Sequence, residues 1–82
     1  MKAILQALMD CAFFFELSDD DVVNPDAAVQ QLEQIQASLL TIAGKERRAV
    51  LEELEALVEQ QSSDERKEVV QRFVDALRDE AN

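Results

Sequence analysis

An all-α fold, a small up-down bundle of four helices forming one domain over residues 1–82, is predicted by three features of the sequence. Apolar residues recur at helical spacing in four segments. Helix-start signals stand between those segments. The 82 residues include one Gly and one Pro, too few for the turns of a β-rich fold, among abundant Ala, Leu, Glu and Gln that favour helix.

The first helix is expected over about 2–17, and it is apolar on two sides. On a helical wheel Leu8, Cys11 and Phe15 lie within about 40° of Ile4, with Leu5 and Ala12 alongside. This stripe is expected to face the core, with Cys11 as a packed rather than a reactive thiol. Met9, Phe13 and Leu17 form a second stripe on roughly the opposite side. A surface helix needs only one apolar face. Unless the chain wraps the helix on all sides, the second stripe is therefore a candidate surface for a dimer or a partner protein.

The linker SDDDVVN carries the signature of a single turn, with Ser18 as cap and Asp21 three residues on. The second helix has the clearest start: Asn24 is a good N-cap, Pro25 suits the first helical position, and Asp26 complements the helix dipole. Its apolar stripe is Ala28, Leu32, Ile35, Leu39 and Ile42. Gly44 is expected to break the chain between a second and a third helix. A continuous helix through Gly44 would keep Val50, Leu54 and Leu57 within about 50° of the earlier stripe, but it would leave too little chain to cover it. The third helix, about 45–60, should bury Val50, Leu51, Leu54, Leu57 and Val58. Ser62 and Glu65 form a capping box for the fourth, which should bury Val70, Phe73, Val74 and Leu77 and pair Glu68 with Arg72.

Eighteen acidic residues against eight basic ones and no histidine give a net charge of −10. That balance argues against direct contact with nucleic acid, where phosphates demand Lys and Arg, and against anionic membranes. It suits a basic protein. The third helix opens Lys45-Glu46-Arg47-Arg48 and closes on glutamates, the reverse of what its dipole favours. An up-down bundle supplies a reason, because short connections set consecutive helices antiparallel. One end then collects Glu16, Asp19, Asp20, Asp21, Asp26, Glu59, Asp64 and Glu65, offset by Arg66 and Lys67. Lys2, Lys45, Arg47, Arg48 and Arg78 fall at the other. The acidic end is the candidate partner-binding site.

Catalysis is not expected. Histidine, tyrosine and tryptophan are absent, and nothing supplies a base for Cys11 or a serine. One cysteine and no histidine leave zinc without its usual ligands. The run Asp19–Asp26 lacks the alternating ligands, the turn glycine and the closing glutamate of a calcium loop. The Asp-Ser-Leu motif of acyl carrier proteins is also missing, since the order here is Leu17-Ser18-Asp19. No metal or cofactor is expected. The segment KAILQALMDCAFFF is interrupted by Gln6 and Asp10, and Asp10 sits where a lipidation site needs a small residue; it reads as a folded helix of a cytoplasmic protein.

In general character, though in no specific motif, the chain is similar to the small acidic helical immunity proteins that neutralise bacterial toxins. That likeness implies an antitoxin-like inhibitor that blocks a basic toxin or nuclease by direct binding. The alternative is a structural or adaptor subunit acting as a helical homodimer.

Overall fold

A computed structural model of the chain describes residues 1–81, with side chains as far as Arg78. Four helices form: α1 (Lys2–Leu17), α2 (Pro25–Leu40), α3 (Gly44–Gln60) and α4 (Asp64–Ala81). No strand occurs among the described residues. Among the described residues no helix is long and apolar enough to cross a membrane.

Each boundary has a local cause. The Asn24 side chain accepts hydrogen bonds from the backbone N–H groups of Asp26 (2.9 Å) and Ala27 (3.2 Å), and Pro25 follows at the first helical position. These satisfy amides that have no partner within the helix. At the start of α4 the cap is Ser63, whose hydroxyl accepts from the Arg66 N–H at 3.2 Å. The helix thus begins one residue later than the Ser62–Glu65 box implies, and Arg66 stands where that box needs an acid. The turn in the first linker likewise uses backbone rather than side chain: the Asp19 carbonyl accepts from the Val22 and Val23 amides at 2.9 and 3.0 Å.

Between α2 and α3 the chain breaks at Thr41–Ala43, as expected, but Gly44 acts differently from a closing glycine. It opens α3 with φ of +63°, a left-handed conformation that side chains with a Cβ disfavour. Arg47, half-buried in the first turn of α3, reaches back over this corner. Its Nε donates to the Ile42 carbonyl at 2.8 Å, and its second guanidinium nitrogen donates to the Leu40 carbonyl. The last carbonyl of α2, at Leu40, and the Ile42 carbonyl in the linker just beyond it are thereby capped by a cation, which the dipole of α2 favours. This explains one base at the start of α3: Arg47 serves the helix before its own.

Buried residues form one core: Leu5, Met9, Ala12 and Phe13 from α1; Leu39 from α2; Val50, Leu54 and Leu57 from α3; Val69, Val70, Phe73, Val74 and Leu77 from α4. Leu32, Ile35, Ile42, Leu51 and Val58 pack against it half-buried. α3 and α4 pack most extensively, α1 lies against all three other helices, and α2 touches α1 and α4. Despite their short connection, α2 and α3 do not pack on each other. Beyond the Gly44–Arg47 corner α3 packs on α4 and α1 rather than on α2.

Arg47→Met should lower stability in urea titration by about 1.5–3 kcal/mol, since it leaves carbonyls uncapped and removes charged hydrogen bonds. The exposed Arg48→Met should change it by less than about 0.5 kcal/mol. Gly44→Ala should cost about 1 kcal/mol through φ alone, because a Cβ there meets no atom within 4 Å.

Candidate functional site

Seven of the eight carboxylates expected at the acidic end are exposed: Asp19, Asp20, Asp21, Asp26, Glu59, Asp64 and Glu65. The eighth, Glu16, is half-buried and engaged, its carboxylate 2.8 Å from the guanidinium of Arg72. Arg72 was expected to pair with Glu68 along its own helix; it joins α4 to the end of α1 instead. The guanidinium of Arg66 lies 5.0 Å from the centre of the Phe13 ring. Leu17 and Ser18 line the same shallow hollow as Arg66. Ser18, at the start of the aspartate turn, thus lies beside Arg66 in the first turn of α4. Asp26 is fixed in the first turn of α2 by the Asn24 cap. Among the described residues the ion pairs are Arg72–Glu16 and Arg78–Glu55, so the seven exposed acids keep their charge unneutralised by direct contact.

Val22 was missed as a surface residue. The turn closed on Asp19 leaves it 65% exposed beside the three aspartates. A β-branched residue in an acidic linker is the signal that could have drawn attention to it.

The two stripes of α1 are reversed from expectation. Met9 is 0% and Phe13 5% exposed, both in the core, so neither is open to a second chain; Leu17, at the helix end, is 37% exposed. Ile4, by contrast, is 73% exposed, Cys11 is exposed, and Leu8 and Phe15 are half-buried. Cys11 is therefore not a packed core thiol. The physical reason lies in the flank between the stripes. Leu5 and Ala12 are buried, and the helix rests on that flank plus the Met9–Phe13 side, rolled by roughly 90° from the expected setting. Phe14, 52% exposed, stands on the open side with its ring edge-on to Phe15 at 5.6 Å.

A cleft of 310 Å³ lies between α1, α2 and α4, with Val29, Leu32, Val69 and Phe73 as apolar lining and Glu16, Glu33 and Arg72 as its charged groups. It contains no hydroxyl, thiol or imidazole that could act as a nucleophile. No group of three or more possible metal ligands is assembled among the described residues. Comparison with known proteins finds no matching family model, no similar curated protein and no similar solved structure.

The roll of α1 is directly measurable. Phe13→Ala should destabilise the protein by about 3–5 kcal/mol, whereas the exposed Phe14→Ala should cost under about 1 kcal/mol in the same denaturation assay. Equal losses would mean that both faces are internal.

Proposed function

We propose that this chain is a non-catalytic binding protein whose acidic end docks on a basic surface of another protein, in the manner of an immunity or antitoxin-like inhibitor. The reading assumes helices that alternate in direction, so that the α1–α2 and α3–α4 connections share one end. The observation that carries it is the turn Ser18–Asn24. Three consecutive aspartates stand exposed there, without ion-pair partners among the described residues, around an exposed valine. Asp26, Asp64 and Glu65 are explained by the helix starts they occupy. Asp19, Asp20 and Asp21 gain nothing of that kind and repel one another.

Such a surface speeds encounter with a basic cleft and holds it by contacts that substrate would otherwise use. Target sites that handle phosphates are basic for the same reason that nucleic-acid-binding surfaces are, so a toxin or nuclease is the class of partner this chemistry fits. Soluble expression in the cytoplasm belongs to the same reading.

The test begins with capture of partners from the source cells on immobilised protein. Asp19, Asp20 and Asp21 changed together to Asn should keep the fold, because exposed loop charges contribute little to stability. Association with the captured partner should slow by about tenfold or more, and its dependence on salt should flatten. Glu33, Glu46 and Glu52 changed together to Gln remove the same charge elsewhere and should slow association far less. Equal loss in both triple variants would assign binding to overall charge, and no loss in the aspartate variant would remove the site.

A further inference from the structure

The cleft between α1, α2 and α4 is walled by one face of each of two helices. Along α2 the lining residues Val29, Leu32, Glu33 and Gln36 recur at helical spacing, and along α4 Val69, Arg72 and Phe73 do the same. Val69 and Phe73 are buried and make the floor, Leu32 is half-buried, and Val29 stands 53% exposed at the rim. α1 contributes Glu16, whose carboxylate lies 2.8 Å from the Arg72 guanidinium. That pair is neutral as a whole. Glu33 is exposed, and among the described residues no base pairs with it. The cleft therefore presents an apolar floor beside one uncompensated carboxylate.

We propose that the cleft seats a long basic side chain, arginine or lysine, of the protein partner, with its alkyl stem against Val29, Leu32 and Phe73 and its cationic head at the Glu33 carboxylate. This rests on the reading that the aspartate turn docks on a basic protein, and it names the kind of residue that such a protein inserts. Charge, size and position together choose the occupant. An anion would meet Glu16, Glu33 and a chain of charge −10, with only a guanidinium that is already engaged to receive it. A neutral apolar group would strip water from Glu33 and give it no partner in return. The volume of 310 Å³ stands at the bottom of the roughly 300–1,000 Å³ range of small-molecule pockets, which suits one extended side chain better than a cofactor.

Position ties the cleft to the turn. Glu16 is in the last turn of α1 and Val29 in the second turn of α2, so the cleft opens between the two helices that the Ser18–Asn24 segment connects. A side chain that is apolar along its stem and charged at its tip matches an apolar floor with a carboxylate at its edge. An arginine held in a pocket is also among the commonest anchors of protein interfaces.

The probe is the blocked amino acid Nα-acetyl-arginine amide, compared with its citrulline counterpart, which has the same shape without the charge. In amide NMR of the whole chain the arginine probe should shift residues 29–36 and 69–73, which line the cleft, and saturate in the millimolar range. The citrulline probe should bind at least about fivefold more weakly, and Glu33→Gln should weaken the arginine probe by about the same factor, the worth of one exposed ion pair. Val29→Lys offers Glu33 a base one turn away on its own helix and should abolish saturable binding. Both positions are exposed, so helix content and thermal midpoint should hold in both variants. Against a captured partner, Glu33→Gln should speed dissociation about fivefold and leave association nearly unchanged. The variant with Asp19, Asp20 and Asp21 changed to Asn should still bind the arginine probe within about twofold of wild type, because those charges act at longer, screened range. The two readings thus fail separately: the cleft by the probe, with no partner needed, and the turn by the association rate. Equal binding of the arginine and citrulline probes, or shifts confined to the aspartate turn, would overturn the proposal.

Discussion

The core offers α1 a single inner surface, while α1 carries apolar side chains around most of its circumference. α3 and α4 build that surface from Val50, Leu54, Leu57, Val70, Phe73, Val74 and Leu77. Among the described residues it contains no buried polar group that could select one side of an incoming helix by hydrogen bonding. Fit of volume is what remains. Met9 at 0% exposure and Ala12 at 0% show a long flexible side chain and a small one filling the seam together. In a chain of this size about a third of the unfolded surface stays uncovered. The apolar residues of α1 not taken into the seam therefore had nowhere else to go.

Electrostatics works against compactness here rather than for it. Both observed ion pairs involve partly or largely exposed groups, with side chains 63% and 26% exposed in Arg72–Glu16 and 51% and 52% in Arg78–Glu55. Pairs of that kind contribute at most about 1 kcal/mol each, which does not offset the mutual repulsion of a chain with charge −10. Part of the excess is absorbed locally, since Asp26, Glu46, Asp64 and Glu65 occupy first turns of helices. The reversed charge order of α3 has a structural cause at Arg47, whose guanidinium caps the end of α2. Lys45 and Arg48 have no such role, and the aspartate turn has none either.

Much of the fold was legible because short-range signals and periodicity agreed. Asn24-Pro25-Asp26 marked the start of α2, Gly44 marked the break, and the stripes of α3 and α4 named Val50, Leu54, Leu57, Val70, Phe73, Val74 and Leu77, while Leu51 and Val58, also expected inside, are half-buried and Val69 was omitted. Two kinds of feature were not legible. The roll of α1 was ambiguous because Leu5 and Ala12 lie between its stripes and belong equally to either. The partners of Arg47, Arg72 and Arg66 were hidden because each reaches out of its own helix, to Leu40 and Ile42, to Glu16 and to the Phe13 ring. Local pairing rules favour neighbours four residues away, and tertiary packing supplied better ones. The aspartates of the acidic end were found as exposed groups because loops take them to the surface. Glu16 differed because Arg72 draws it inward.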